Sequence, residues 1–337
     1  MKEALLYEKL DKKIAHCYLC SRHCKIAEHK FGFCGVRQNV DGVLYTYAYG
    51  NVVAAQIDPV EKKPLYHFLP GSNTFSIAAS GCNFRCGFCQ NWEISQQPAK
   101  SGTGLGEEEF LPQDIAAEAL RNGCKSVSYT YTEPTVFFEY AYETARAAKR
   151  LNLRNIFVTN GYMTKDCISM IKPYLDAANV DLKFFNDHSY KKHCAGSLKP
   201  VMDSIRLMKE LGIWIEVTTL VIPGENDSDK ELAGIANFIS GIDKRMPWHI
   251  SRFHPDYKFR KYGLTPEEDL KRAKAIGQDA GLSFVYIGNV SGYGNDTVCP
   301  GCKKVLIKRE YFNILEYNIM NGKCAYCRQE VPGVFGA

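Results

Sequence analysis

Three cysteines in the run Gly81-Cys-Asn-Phe-Arg-Cys-Gly-Phe-Cys-Gln90 offer the chemistry from which this chain is best read. Cys82, Cys86 and Cys89 supply three closely spaced thiolates, with no fourth inside the motif. Four thiolates would close a 4Fe-4S cluster and leave it an electron carrier. Three leave one iron open, on which a substrate or cofactor can sit. Zinc is the alternative, but zinc sites usually pair C-x2-C knuckles into four ligands.

The chain has 14 cysteines, and two further groups have metal spacing. Cys299-Pro-Gly-Cys302 and Cys324-Ala-Tyr-Cys327 form two C-x2-C knuckles, the pattern of a closed structural zinc ribbon, with a second iron-sulfur cluster as competitor. Cys17, Cys20, Cys24 and Cys34 are more loosely spaced. Zinc is the expectation there too, an auxiliary iron-sulfur cluster remains open, and His16, His23 and His29 are alternative ligands. Cys124 and Cys167 read as small buried thiols. Cys194, in His-Cys-Ala-Gly, follows a strand end and is a candidate catalytic thiol, although an inert buried role is the plainer reading.

Between these groups the chain alternates strand and helix patterns. Strands are expected at 75–79, 126–131, 155–159, 179–183, 214–221, 248–253 and 284–287. Helices are expected at 113–122, between Pro112 and Gly123, at 136–151, and after an N-cap at Thr265. Repeated strand-helix units imply an α/β fold, a partial parallel (β/α)6-type barrel, with a doubly wound open sheet second. The expected organisation is an N-terminal cysteine-rich module at 1–72, the barrel at 73–295 and a zinc-ribbon-like module at 296–337.

Composition agrees with an enzyme of this size. Of 337 residues, 45% are hydrophobic and 23% charged, and the net charge of +5 is dispersed, so nucleic-acid binding is not indicated. The first twenty residues are rich in charge, no apolar run approaches membrane-spanning length, and the clustered cysteines suit a reducing compartment. The expectation is cytoplasmic, with no membrane partner.

Polar groups recur at the carboxyl ends of the expected strands: Tyr129-Thr-Tyr-Thr-Glu-Pro-Thr135, Thr159-Asn-Gly-Tyr162, Asp181-Leu-Lys183, Arg252-Phe-His-Pro255 and Gly288-Asn-Val290. In a parallel barrel these ends form the catalytic rim, beside the cysteine loop that follows the first strand. Asp181 and Lys183 alternate on a strand and so share a side.

The C-x3-C-x2-C spacing, with Phe88 before the last cysteine, resembles the signature of the radical S-adenosylmethionine (SAM) superfamily. The continuation Cys-Gln-Asn-Trp-Glu-Ile-Ser-Gln and the preceding run from Asp58 to Gly71 resemble the radical SAM member of the AmmeMemoRadiSam system, which is similar to pyruvate formate-lyase activating enzymes. The likeness runs from about Cys17 to Asn289. It implies a 4Fe-4S cluster whose free iron chelates SAM, reductive cleavage to a 5'-deoxyadenosyl radical, and hydrogen abstraction from a substrate. It implies that Thr132 and Glu133 receive the SAM amino group, where the family carries a Gly-Gly-Glu-type motif. Asn160 meets the ribose hydroxyls, Lys183 the carboxylate, Asp181 the ammonium or ribose, and His254 lies against adenine. The resemblance further implies an electron donor such as flavodoxin or ferredoxin and a protein substrate. A small-molecule substrate is the alternative within the class, and a non-catalytic, zinc-stapled interaction protein is the alternative outside it.

Overall fold

The computed structural model describes residues 1–96, 110–290, 292 and 294–335. Its centre is one eight-stranded sheet whose strands lie side by side in sequence order. They are β1 (Val52–Pro59), β2 (Asn73–Ala79), β3 (Ser126–Tyr129), β4 (Arg154–Thr159), β5 (Ala177–Asp181), β6 (Trp214–Val221), β7 (Trp248–Arg252) and β8 (Val285–Gly288). Strands β2 to β8 are parallel, and β1 pairs antiparallel with β2. β1 and β8 are edges, so the architecture is the open, partial barrel. Every residue of β3 is buried, as expected of parallel strands covered on both faces. β1, which the sequence groups with the N-terminal module, is part of this sheet.

The crossovers are α1 (Pro112–Arg121), α2 (Phe138–Arg150), α3 (Lys165–Ile171), α4 (Leu198–Glu210), α5 (Asp229–Ile242) and α6 (Glu267–Asp279). α1 starts on Pro112 and stops before Gly123, as its punctuation requires. α6 departs from expectation: it begins at Glu267 with no side-chain cap. The Thr265 hydroxyl accepts from the Phe253 N–H (2.9 Å) and donates to the Val221 carbonyl (2.7 Å), stitching β6 to the end of β7 instead.

Two three-stranded antiparallel sheets make the N-terminal module. Its Ala15, Leu19, Ile26, Val36 and Leu44 belong to the same buried core as the barrel. A fully buried ion pair, Arg37 to Glu139 of α2 at 2.5 Å, fixes it there. The C-terminal module has a small core of its own, including Leu306, Ile307, Ile319 and Val331. Arg309 inserts from it toward the barrel, donating to the Tyr66 carbonyl (2.8 Å) and to Thr297 Oγ1 (2.8 Å), with Glu61 Oε1 at 3.6 Å.

Candidate active site and metal centres

The carboxyl ends of β2 to β7 surround a cavity of about 410 Å³, a size that accommodates a drug-sized ligand. Cys82, Cys86 and Cys89 line it, together with Thr132, Glu133, Asn160, Asp181 and Lys183. Eight separate segments of sequence line this cavity.

The cysteine loop leaves β2 through Gly81, whose φ of +99° suits glycine. A Cβ there would stand 2.9 Å from the Cys34 carbonyl oxygen and 2.7 Å from Val36 Cγ1. The Phe84 N–H points at Cys82 Sγ (3.3 Å) and Ser95 Oγ lies 3.1 Å from Cys89 Sγ. Such donors stabilise thiolate ligands.

Glu133 is buried and caps the short turn that opens α2. Its Oε1 accepts from the Thr135 N–H (3.0 Å), Thr135 Oγ1 (2.6 Å) and Thr159 Oγ1 (2.7 Å), and its Oε2 from the Asn160 N–H (2.8 Å). Burial pushes its carboxyl above the usual range, against these donors. The one bond to Oε2 leaves acceptor capacity at that oxygen. Thr132 donates its hydroxyl to the Ala79 carbonyl (2.6 Å). The Asn160 side chain reaches sideways rather than standing free: Nδ2 donates to Asn83 Oδ1 (2.7 Å), and Oδ1 accepts from the Tyr162 N–H (2.9 Å). Gly161 follows at φ +69°, where a Cβ would meet Val180 Cγ1 at 2.8 Å.

Asp181 closes β5, and Lys183 lies two residues beyond. Their side chains meet at 2.8 Å. Burial works against the Lys183 charge, but Asp181 and the Cys86 and Cys194 sulfurs outweigh it and hold the ammonium protonated.

Two candidates fall outside the lining. His254 is exposed, with Nε2 2.7 Å from Gln90 Nε2. Cys194 is fully buried at the end of a π-helical turn, Tyr190–Cys194, against Cys86. The cavity is also lined by Lys62, Lys63 and Tyr131. Lys63 bonds Asp58 at 2.7 Å, Lys62 bonds the same carboxylate at 2.8 Å, and Tyr131 donates to it as well. Burial pulls the Lys63 ammonium down to about 8, although Asp58 opposes the shift. The Asp-Pro-Val-Glu-Lys-Lys run was the available signal, since it pairs opposite charges across one short turn.

The four C-terminal cysteine sulfurs all lie within 4.8 Å of one another, with Cys299 to Cys327 at 3.6 Å and Cys302 to Cys324 at 3.7 Å. Tetrahedral zinc, at about 2.3 Å from each thiolate, separates them by about 3.8 Å. Cys17, Cys20, Cys24 and Cys34 converge on a separate pocket behind the cysteine loop.

A family model described as the radical SAM superfamily matches residues 76–236. An uncharacterized protein of Methanocaldococcus jannaschii is 43% identical over 335 residues, covering 98% of this chain and 99% of the relative. The chain belongs to the radical SAM superfamily. This radical SAM protein is also similar to the pyruvate formate-lyase-activating enzyme of Clostridium pasteurianum, 22% identical over 219 residues, covering 60% of this chain and 89% of that one. Its fold resembles the crystal structure of a radical SAM methyltransferase from Sphaerobacter thermophilus, with a TM-score of 0.51, 16% identity and 71% of each chain covered. Membership makes the protein an enzyme and implies a 4Fe-4S cluster and SAM. The three thiols with their N–H and hydroxyl donors, facing a cavity of ligand size, fit that pair. Among the described residues, no helix is long and apolar enough to cross a membrane.

Proposed function

We propose that this radical SAM enzyme acts as an activase-type hydrogen abstractor on a polypeptide, receiving electrons from a flavodoxin- or ferredoxin-type donor. The observation that carries the catalytic half is the convergence of Cys82, Cys86, Cys89 and the Asp181–Lys183 pair on one cavity. With cluster and SAM bound, the site supplies a 5'-deoxyadenosyl radical.

The chain's own residues then bind and orient. Lys183, kept charged by Asp181, meets the SAM carboxylate, and Asp181 meets the ammonium or ribose. Glu133 Oε2 and the segment at Thr132 take the amino group. Asn160, already engaged by Asn83, is assigned to holding the cysteine loop rather than to the ribose. Cys299, Cys302, Cys324 and Cys327 hold structural zinc, which suits their spacing.

The polypeptide reading rests on the surroundings. A second cavity, of about 390 Å³, shares Lys62, Thr218, Ser251 and Asn289 with the first and reaches Tyr311 and Phe312 of the C-terminal module. Tyr311, Phe312, Leu315 and Tyr317 of one hairpin are exposed. Exposed apolar residues beside a cavity mouth favour a bulky partner over a sealed small molecule. The test is anaerobic incubation with SAM, reductant and either deuterated protein fractions or deuterated metabolite pools. Deuterium in 5'-deoxyadenosine from protein is expected. Label from metabolites alone removes the polypeptide, and no 5'-deoxyadenosine removes the radical chemistry.

A further inference from the structure

We propose that the second cavity, of about 390 Å³, is the substrate pocket of this enzyme, and that His249, held by Glu216, receives there a neutral N–H or O–H group of the substrate. The pocket's part in hydrogen abstraction rests on the reading above, whereas its preference for a hydrogen-bond donor does not.

Strand register builds the pocket in two layers. Thr218 of β6 is paired with His249 of β7, and His249 with Tyr286 of β8. Side chains two apart share a face, so Glu216 and Thr218 rise along one side of β6, and His249 and Ser251 along one side of β7. His249, deeper in the barrel, lines the second cavity, and Thr218 and Ser251, nearer the carboxyl ends of their strands, line both cavities. A molecule seated on His249 therefore extends past Thr218 and Ser251 toward the cavity of Cys82, Cys86 and Cys89.

The Glu216 carboxylate fixes the imidazole. It is fully buried and accepts from the Tyr66 N–H (2.9 Å), the His67 N–H (2.8 Å), Trp214 Nε1 (3.0 Å) and His249 Nε2 (2.6 Å). Burial opposes its charge, but His249, nearby His67 and Trp214 hold the carboxyl below its usual range. A carboxylate has no hydrogen to give, so Nε2 carries the imidazole proton and Nδ1 is left as an acceptor. Among the described residues, nothing bonds Nδ1. The ring is held by stacking on Tyr286 at 5.2 Å and by an edge-to-face contact with Tyr66 at 4.7 Å.

The rest of the lining also calls for donors. Glu61 Oε2, Asn295 Oδ1 and Thr218 Oγ1 are buried without a partner, and the carboxylate and carboxamide oxygens only accept. Unpaired buried acceptors are costly, and a ligand rich in N–H or O–H groups relieves that cost. Charge is already matched, since Lys62 bonds Asp58 at 2.8 Å and Glu61 lies 3.6 Å from Arg309, so the pocket favours a neutral ligand. Pro64, Val290 and Phe312 give it an apolar side. A carboxamide or hydroxyl side chain of a polypeptide has this chemistry, as does a small amide or polyhydroxy metabolite.

The test has two arms, both on the full chain reconstituted anaerobically. In the first, protein labelled with nitrogen-15 in histidine is titrated with N-methylacetamide and, separately, with N,N-dimethylacetamide, which has no N–H. The His249 Nδ1 resonance is identified by its disappearance in His249→Gln, whose amide nitrogen replaces Nε2 as donor to Glu216 while Nδ1 is deleted. That resonance should move upfield with the first probe and stay in place with the second. No movement with either probe, or equal movement with both, overturns the donor pocket.

In the second arm, deuterium transfer into 5'-deoxyadenosine is followed from deuterated protein fractions and from deuterated metabolite pools, which separates the two sources. His249→Gln should lower transfer at least tenfold at limiting pool concentration, and the deficit should shrink as the pool is concentrated. Thr218→Val, which removes a hydroxyl with no partner in the protein, should act in the same direction. Wild-type transfer in His249→Gln overturns the pocket; if that variant does not fold, wild-type transfer in Thr218→Val does so. An equal loss of SAM binding in His249→Gln would place the residue in the SAM site and also overturn it. Wild type that yields no labelled 5'-deoxyadenosine from either source sinks the hydrogen-abstraction reading instead, and the first arm alone then judges the pocket.

Discussion

Asn160 Nδ2 donates to Asn83 Oδ1 at 2.7 Å, tying the end of β4 to the cysteine loop beside Cys82. Both residues are buried, so removing one partner leaves the other unsatisfied. Asn160→Ala should cost about 1–3 kcal/mol and free the loop. Iron should leave the reconstituted variant faster under a chelator. Equal iron-loss rates would show that the loop holds without this bond.

Lys183→Met should weaken SAM binding by at least tenfold while leaving iron content unchanged. It removes the cation held by Asp181 without touching a thiol. Equilibrium binding on the anaerobic protein decides it, and an unaltered affinity removes Lys183 from the pocket.

Arg309 and Glu61 are both fully buried and 3.6 Å apart. Arg309→Met strands a buried carboxylate, which typically costs about 3–5 kcal/mol, and Glu61→Gln in the same chain should recover much of the loss. Denaturant melts of the two variants provide the comparison. Failure of the second change to rescue would place the cost in lost packing.

His67 gives stability a pH dependence. Burial holds its imidazole down at about 4, against the pull of Glu216, where the unfolded value is 6.5. Between those values the unfolded chain binds more protons, so the contribution is intact above pH 6.5 and is lost as pH falls toward 4. Relative to His67→Gln, wild type should lose roughly 2 kcal/mol between pH 7 and pH 5. Parallel slopes for the two proteins in denaturant titrations would contradict this.

Cys302→Ser should release zinc and loosen the C-terminal module while leaving iron in place, because that module has its own small core. Metal analysis combined with limited proteolysis reads both effects. Zinc retained at full occupancy, or iron lost with it, would contradict the assignment.

Much of the fold was written in local pattern. The seven parallel strands were legible because each is a short apolar run bounded by turn residues, and α1 because proline and glycine mark its ends. β1 was not: its exposed and half-buried positions give an edge strand no apolar signal, and only pairing with β2 makes it part of the sheet. Thr265 looked like a cap because it precedes Pro-Glu-Glu, yet two backbone partners from β6 and β7 compete for its hydroxyl and win.

The sequence by itself determined which atoms are available: three thiolates in one loop, two further cysteine sets, and polar side chains at strand ends. Covalent spacing fixes ligand number within a motif, and strand periodicity fixes the side to which Asp181 and Lys183 point. Tertiary structure decided which groups are already spent and which thiols come together. It engaged Asn160 with Asn83, set His254 outside the cavity, and brought Lys63, held by Asp58, into the cavity lining. It brought the four C-terminal cysteine sulfurs within 4.8 Å of one another. Those outcomes depend on distances between segments more than two hundred residues apart, which packing sets and local sequence does not.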